Sequence, residues 1–222
     1  MKLAIIVPVK SPRRAKNRLH GVLTEAERVR LATTMATDVF RAVAPLEEFG
    51  RFVISDDPDV LRQAADFGLE PLLDRVSQGQ SAAVEQGFTV AWDGGFTAAL
   101  TIPGDVPAVT PAELRSLATY RPEIEVLLVT DRERIGTNGL RLIPPHAITL
   151  RFGEDSFNLH RAEAARANRS FDVREIAGLE VDLDQPEDLA AFMRLGRESA
   201  TFQLLRELNV AERVLAPIPP RA

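Results

Sequence analysis

The chain opens on Leu3-Ala4-Ile5-Ile6-Val7-Pro8-Val9-Lys10, and this stretch decides the class of fold. Its apolar run is continuous, which is typical of a strand buried on both faces in a parallel sheet. A polar and basic stretch follows to about residue 23 and is predicted to be a loop. Thr24-Glu25-Ala26-Glu27 then matches a capping box and predicts the start of a helix. Strand, loop and helix together form the first unit of an α/β sheet.

The rest of the chain repeats this alternation, which implies a mostly parallel mixed sheet with helices on both faces. No internal repeat or linker interrupts it. We therefore expect a single domain, 1–222, with a core at about 3–192, a C-terminal helical extension at about 193–215 and an irregular tail at 216–220. The further predicted strands are 51–55, 69–73, 98–103, 124–130, 139–143, 171–175 and 181–183, and the predicted helices are 24–44, 57–67, 79–92, 155–168 and segments starting near Thr110 and Asp184.

Composition excludes several classes of protein. The 222 residues are 45% hydrophobic, which suits one sizeable core. The net charge of −5 and the lack of a basic run argue against a duplex nucleic-acid binder. The absence of cysteine excludes disulfides, thiolate nucleophiles and cysteine-ligated metals. No apolar run approaches the roughly 20 residues of a membrane span, and the N-terminal run is too short for a signal peptide, so a cytoplasmic protein is expected.

Three aspartates stand at predicted strand ends, where ligands bind in open α/β sheets. Asp182 and Asp184 are two residues apart, so along a strand their side chains would share one face. Two carboxylates held there repel each other unless a cation or protons neutralise them. Asp105 follows another predicted strand, and the three together would give Mg²⁺ the oxygen ligands that it prefers. For Asp184 a second interpretation stays open, because it begins an Asp-x-x-Glu capping box and would then only cap a helix.

A basic loop, Lys10–Arg18, follows the first predicted strand and carries five basic residues. Positive charge at this position suits a triphosphate and the charge that develops on a leaving pyrophosphate. A solvated basic loop without function is the alternative. The loop lacks the Gly-x-x-x-x-Gly-Lys-Ser/Thr signature of a P-loop, and no Gly-x-Gly-x-x-Gly follows the strand.

A third cluster combines Gly136-Thr137-Asn138-Gly139 with Phe152-Gly153-Glu154-Asp155-Ser156-Phe157. Small hydroxyl residues and exposed backbone amides can hold a phosphate, especially at the N-terminus of a helix. Ser156 stands at the predicted start of a helix, so the alternative for it is a plain N-cap. The three histidines show no metal-ligand spacing.

The ordered set of motifs resembles the 2-phospho-L-lactate guanylyltransferase family of coenzyme F420 biosynthesis, whose bacterial relatives use phosphoenolpyruvate or 3-phosphoglycerate. The resemblance spans about residues 3–192. Each motif is weak alone, but their order is specific. They are Val7-Pro8-Val9-Lys10, Ala15-Lys16-Asn17-Arg18-Leu19, Ser55-Asp56-Asp57-Pro58, Pro103-Gly104-Asp105-Val106-Pro107, Gly136-Thr137-Asn138, Phe152-Gly153 with Ser156-Phe157 and His160, and Asp182-Leu183-Asp184-Gln185-Pro186-Glu187-Asp188-Leu189.

The resemblance implies a Rossmann-like nucleotidyltransferase fold of the nucleotide-diphospho-sugar transferase type and assigns roles to matching residues. The metal-binding acids are Asp105, Asp182 and Asp184, and Lys10, Lys16 and Asp105 are implied to be catalytic. The nucleotide-binding set is Pro8, Lys10, Lys16, Ser55, Asp56, Gly79, Ser81 and Asp105. The set for the acceptor's phosphate is Thr137, Asn138, Gly153 and Ser156. One departure is Gly79-Gln80-Ser81-Ala82-Ala83, where the family usually has Gly-Leu-Asn-x-Ala, so a nucleotide contact made by that Asn is in doubt.

The implied reaction transfers GMP from GTP to the phosphate of phosphoenolpyruvate, 2-phospho-L-lactate or 3-phospho-D-glycerate and releases pyrophosphate, with Mg²⁺ as cofactor. Beyond these substrates, the downstream F420 transferase and a second copy of the chain are further candidate partners. Alternatives are a sugar-phosphate or molybdopterin-type nucleotidyltransferase, a glycosyltransferase with an Asp-x-Asp motif, and a non-catalytic nucleotide-binding protein. The choice among the three acids is left open.

Overall fold

A seven-stranded mixed sheet forms the centre of the computed structural model, which describes residues 1–75 and 79–215. The strands are β1 (Leu3–Pro8), β2 (Gly50–Ser55), β3 (Glu70–Leu73), β4 (Ala98–Thr101), β5 (Val126–Thr130), β6 (Thr137–Leu142) and β7 (Phe171–Arg174). The helices are α1 (Glu25–Val43), α2 (Pro58–Asp66), α3 (Gln80–Asp93), α4 (Pro111–Thr119), α5 (Ser156–Arg166), α6 (Pro186–Leu195), α7 (Ala200–Glu207) and α8 (Val210–Leu215).

The strand order is β3-β2-β1-β4-β6-β5-β7, and only β6 runs against its neighbours. β1 pairs in parallel with β2 and β4, β2 with β3, and β5 with β7. The prediction of a mostly parallel mixed sheet is therefore confirmed. Because β6 is antiparallel, its first residues lie at the edge where the parallel strands end.

Side chains alternate along β1 and fill two separate apolar layers, as the two-residue period of a strand requires. Ile5 and Val7 belong to the layer shared with α1, α2 and α4, whereas Ile6 belongs to the layer shared with α3 and α5. The central strand is buried at every position except Pro8. Helices on both faces explain why its sequence is continuously apolar.

Two predicted helix starts are confirmed in detail. The Thr24 side chain accepts a hydrogen bond from the Glu27 backbone N–H, and the Glu27 carboxylate accepts one from the Thr24 backbone N–H, which completes the capping box of α1. Thr110 and Glu113 form the same box at α4, where Pro111 occupies the first turn. Such reciprocal bonds satisfy backbone N–H groups that the helix itself leaves unpaired.

The C-terminal helices pack against α1 and do not extend freely from the core. Leu31 and Met35 of α1 share an apolar cluster with Phe192 and Leu205. Buried Asp38 accepts hydrogen bonds from the first backbone N–H groups of α7, including that of Thr201 at 2.7 Å. No helix within residues 1–75 and 79–215 is long and apolar enough to cross a membrane. The division into a core and an extension stays a prediction.

The predicted strand at 181–183 is wrong. This segment forms no ladder with the sheet, because it crosses the loops that follow other strands. The carbonyl of Glu180 accepts from the Arg132 backbone beyond β5, and the Leu183 backbone donates to the carbonyl of Asp105 beyond β4. The segment therefore lies over the carboxyl edge of the sheet. The tail at 216–220, predicted to be irregular, lies outside the described residues.

Candidate active site

A cleft of about 1010 Å³ opens at the edge of the sheet where β1, β2, β4 and β5 end and β6 begins. The residues that follow the strands form its walls, which agrees with the position of ligand sites in open α/β sheets. Twelve of the predicted site residues line this cleft: Pro8, Lys10, Lys16, Asp56, Gly79, Asp105, Thr137, Asn138, Gly153, Ser156, Asp182 and Asp184.

Two predicted site residues, Ser55 and Ser81, are absent from the described lining. Ser55 is buried at the end of β2, where its hydroxyl accepts a hydrogen bond from the Asp57 backbone at 3.1 Å. The Ser81 hydroxyl accepts one from the Phe152 backbone at 2.9 Å and so links the start of α3 to the loop before α5. Both side chains hold loops that border the cleft.

Asp105, Asp182 and Asp184 come together in the cleft. One carboxylate oxygen from each lies within 4.8 Å of the others. Asp105 lies in the loop after β4, and the two other acids lie in the segment that crosses the edge of the sheet. Gly104 allows the loop that carries Asp105 to pass close to Val9, because a Cβ at this position would lie 2.7 Å from the Val9 side chain.

Lys16 joins this cluster as a buried counter-charge. Its ammonium group lies 2.5 Å from Asp105 Oδ2 and 2.6 Å from Asp184 Oδ1, while its side chain is only 5% exposed. Burial acts to lower the pKa of Lys16, but the two carboxylates outweigh burial and the pKa is raised. The residue has a φ of 58°, a left-handed conformation that costs a non-glycine residue about 1–3 kcal/mol. The strained backbone and the two ion pairs occur at the same residue, so the Lys16 ammonium group is held at a defined point.

The pKa of Asp182 is shifted in the direction opposite to that of Asp184. The pKa of Asp182 is raised to about 6, first because burial penalises the charged form and then because Asp105 lies close by. Asn138 donates one hydrogen bond to Asp182 Oδ1 at 3.1 Å and another to the Leu179 carbonyl at 2.8 Å. One hydrogen bond of the Asn138 amide thus orients Asp182, and the other fixes the amide to the backbone of the turn that precedes Asp182.

Asp184 is not the N-cap of α6. That position belongs to Gln185, whose backbone N–H donates to the Asp188 carboxylate at 2.7 Å and whose backbone carbonyl accepts from the Asp188 N–H at 3.0 Å. The side chain of Asp184 therefore remains available to Lys16. Burial acts to raise the pKa of Asp184, but the Lys16 ammonium outweighs this effect and the pKa is lowered. The capping interpretation of this residue is wrong.

The acid cluster fits a hard divalent cation. Carboxylate oxygens are the ligands that Mg²⁺ takes in proteins, usually one or two carboxylates together with phosphate oxygens and water. Asp105, Asp182 and Asp184 supply such oxygens within a small space. Because the Lys16 ammonium already contacts two of these carboxylates, an ion bound there would share ligands with it.

The basic loop divides into fixed and exposed cations. Arg14 forms an ion pair with Asp56, and Ser11 donates a hydrogen bond to Asp57 at 2.6 Å. These contacts fasten the loop to the end of β2. Lys10 and Arg18 line the cleft on the solvent side, and neither forms an ion pair with another residue of the described ranges. Exposed cations at the mouth of a cleft raise the local concentration of anionic ligands.

A second wall of the cleft is formed by Thr137, Gly153 and Ser156, whose side chains carry no charge, although Glu154 and Asp155 also line the cleft there. Thr137 begins β6, and Ser156 occupies the first turn of α5; these two side chains are 5% and 3% exposed. Asp155 is the N-cap of α5, so the interpretation of Ser156 as a plain N-cap is wrong. Gly153 has a φ of 128°, which only glycine adopts without strain.

His160 is not among the predicted site residues, although it belongs to the motifs that carry the family resemblance. It is fully buried, and its Nδ1 lies 3.0 Å from Thr137 Oγ1 while its Nε2 accepts a hydrogen bond from the Arg151 backbone at 2.9 Å. The available signal was its spacing of four residues after Ser156, because residues i and i+4 share a helix face. A search for metal-ligand spacing could not detect a histidine that holds a hydroxyl group.

A protein-family model described as "Guanylyl transferase CofC like" matches residues 3–214 of this chain. A phosphoenolpyruvate guanylyltransferase from Conexibacter woesei is 37% identical over 199 residues, which are 88% of this chain and 89% of that protein. A 2-phospho-L-lactate guanylyltransferase from Methanocaldococcus infernus is 29% identical over 205 residues, 92% of this chain and 91% of that protein.

Solved structures share the fold. A candidate nucleotide-diphospho-sugar transferase from Desulfovibrio desulfuricans G20 superimposes with a TM-score of 0.80 at 16% identity and covers 96% of this chain and 99% of its own. A nucleotidyl transferase from Methanothermobacter thermautotrophicus gives a TM-score of 0.64 at 18% identity, with 93% and 99% covered. The expected Rossmann-like nucleotidyltransferase fold is confirmed. With a family match over nearly its whole length, this chain belongs to the guanylyl transferase CofC like family and is a nucleotidyltransferase enzyme.

Proposed function

We propose that this enzyme transfers GMP from GTP to the phosphate of a phosphorylated three-carbon acid and releases pyrophosphate. Phosphoenolpyruvate is the first acceptor to test, because a relative with 37% identity carries that name. 2-Phospho-L-lactate and 3-phospho-D-glycerate are the other candidates. The observation that carries the proposal is a single cleft with a charged acid cluster at one wall and neutral hydroxyl groups at the other.

The cleft has room for both substrates. Its volume of about 1010 Å³ lies at the upper end of the roughly 300–1,000 Å³ that ligand pockets usually have. Lys10 and Arg18 would attract the triphosphate at the mouth. Thr137, Gly153 and Ser156 would hold the acceptor's phosphate at the second wall, where a hydroxyl or backbone N–H can donate to phosphate oxygens.

The acid cluster would work with Mg²⁺, which supplies charge neutralisation at the phosphate groups when it is bound. Asp105, Asp182 and Asp184 would hold the ion, and Lys16 would face the phosphates from the same point. A lysine ammonium placed there stabilises negative charge that develops on the departing pyrophosphate.

The transfer needs positioning more than proton abstraction. An oxygen of the acceptor's phosphate would form a bond to the α-phosphorus of GTP while the bond from that phosphorus to the β-phosphate oxygen breaks. A phosphate monoester has its second pKa at ~6 and is largely dianionic at neutral pH. Its oxygen is therefore a competent nucleophile without a general base, and in-line orientation is the main requirement.

The experiment is a pyrophosphate-release assay with GTP and each of the three acids, with and without Mg²⁺, followed by mass spectrometry of the product. Release of pyrophosphate and a guanosine diphospho-linked acid would support the proposal. Nucleotide binding without release would support a non-catalytic protein, and activity only with a sugar phosphate would overturn the choice of acceptor. A cytoplasmic location and transfer of the product to a downstream F420 transferase belong to the same proposal.

A further inference from the structure

His160 is buried between the cleft wall and the loop before α5, and its two ring nitrogens have different neighbours. Nε2 faces the backbone N–H of Arg151 at 2.9 Å, and Nδ1 faces the hydroxyl of Thr137 at 3.0 Å. The ring also packs edge-on against Phe152, with 4.8 Å between ring centroids. The imidazole is therefore fixed in position and in rotation.

These neighbours select one tautomer. A backbone N–H can only donate, so Nε2 has to accept and carries no hydrogen. In a neutral imidazole the hydrogen is then on Nδ1. Burial lowers the pKa of His160 to about 4, although Glu163 and a hydrogen bond with the Ser156 backbone act in the opposite direction, so the ring is neutral near pH 7.

The tautomer in turn decides the direction of the Thr137 hydroxyl. A protonated Nδ1 has no in-plane lone pair, so the Thr137 O–H cannot donate to it, and the Thr137 oxygen accepts from the ring N–H, which the Ser156 backbone shares. No other hydrogen bond of this hydroxyl occurs among the described residues. Because Thr137 lines the cleft, its hydrogen is left to point toward a ligand there.

We propose that His160 is a positioning residue that keeps the Thr137 hydroxyl as a hydrogen-bond donor toward the acceptor's phosphate. The inference rests on the proposed function, because it takes Thr137 to face that phosphate. A phosphate dianion offers only acceptor oxygens, so a hydroxyl whose hydrogen were turned to the histidine would present the wrong partner. The relay runs from the Arg151 backbone through the imidazole to Thr137.

The kinetic test compares two substitutions that each keep half of the relay. The Asn in His160→Asn places an amide N–H near the position of Nδ1 and keeps the donor to Thr137. The Gln in His160→Gln reaches the position of Nε2 and keeps only the acceptor for Arg151. We expect KM for the acceptor to rise about tenfold in His160→Gln, as for loss of one hydrogen bond to a charged group, and to change less than about threefold in His160→Asn, with KM for GTP unchanged in both.

Thr137→Val removes the hydroxyl and serves as the matched background. In that background His160→Gln should add nothing further to KM for the acceptor, because residues of one network are not additive. Equal effects of the Asn and Gln variants, an unchanged acceptor KM in His160→Gln, or a parallel rise in KM for GTP would overturn the inference and indicate a packing role.

A measurement without substrate separates this inference from the proposed function. In ¹⁵N-histidine-labelled protein, NMR should show His160 with a protonated Nδ1 and a bare Nε2, assigned by loss of the signal in His160→Asn. A protonated Nε2 would overturn the relay even if the enzyme turns over all three acids. Lack of turnover with every acid while the tautomer is as expected would overturn the proposed function, and the assignment of an acceptor to Thr137 with it.

Discussion

The two walls of the cleft fix their polar side chains by opposite physical means. On one wall, Asp105 and Asp184 hold the ammonium of Lys16 at 2.5 and 2.6 Å, so position is fixed by opposite charges. On the other wall, the Thr137 hydroxyl lies 3.0 Å from Nδ1 of the buried His160, and we propose that the ring sets the direction of this hydrogen bond. The difference teaches that one site can combine the attraction between opposite charges with hydrogen bonds that are weaker but directional.

Asn138 lies at the boundary between the two walls. It follows Thr137 in β6, but its amide donates to Asp182 in the acid cluster. Neighbouring residues of one strand thus serve different walls, because successive side chains point to opposite faces. The following substitutions test whether the two walls act separately.

The largest effect is expected for Asp105→Asn, which removes a charged oxygen ligand from the acid cluster. Loss of several kcal/mol of charge stabilisation corresponds to a drop of roughly 10³-fold in kcat/KM. The measurement is pyrophosphate release at limiting Mg²⁺, with Asp93→Asn on an exposed position as the control. Turnover equal to that of the unchanged enzyme would remove Asp105 from the metal site.

The pH dependence of the free energy of unfolding should test whether His160 is neutral in the folded state. Because burial lowers the pKa of His160 to about 4, the folded state binds fewer protons than the unfolded state between that value and 6.5. Its contribution is fully present above pH 6.5 and is lost as the pH falls through 4, at a cost of about 3 kcal/mol. Urea unfolding across this range should show a shallower loss in His160→Asn. Identical pH profiles would contradict the assignment.

Lys16→Met should destabilise the protein in the absence of divalent metal. The substitution leaves Asp105 and Asp184 without their counter-charge, and because both carboxylates are partly exposed we expect a loss of only about 2 kcal/mol. Mg²⁺ should restore part of it by replacing the missing positive charge. The measurement is urea unfolding with EDTA or with Mg²⁺, with Arg206→Met as a control that removes an exposed cation. Wild-type stability in EDTA would refute the prediction.

Asn138→Ala should show whether Asn138 serves the acid cluster or the acceptor. Loss of a hydrogen bond to a metal ligand usually weakens metal affinity 10–100-fold, and we expect about tenfold here. The activating Mg²⁺ concentration should rise while KM for the acceptor changes little. If the acceptor KM changes most, Asn138 serves the acceptor, as the sequence resemblance implies.

The smallest effect is expected for Ser81→Ala. The Ser81 hydroxyl accepts from the Phe152 backbone, so its loss should lower stability by about 1 kcal/mol. Preference among nucleoside triphosphates should be unaffected, because this side chain is outside the described lining of the cleft. A changed preference in competition assays would return Ser81 to the nucleotide-binding set.

Much of the molecule could be predicted from local patterns. The capping boxes at Thr24 and Thr110 require only residues three positions apart, and both occur as predicted. The prediction of a strand at 181–183 is wrong because the pattern of residues does not show whether a partner strand lies beside the segment. Asp184 was ambiguous for a similar reason, since the choice of N-cap depended on a side-chain bond between Gln185 and Asp188.

The sequence by itself determined an α/β nucleotidyltransferase, because buried strands, capped helices and ordered motifs are local or linear properties of the chain. Only the tertiary structure decided which groups meet. It brings Lys16 to aspartates 89 and 168 residues away, and it brings His160 to a threonine 23 residues earlier. Such partners depend on the antiparallel turn of β6 and on a loop that crosses the sheet edge, and long-range packing of this kind leaves no periodic trace in the sequence.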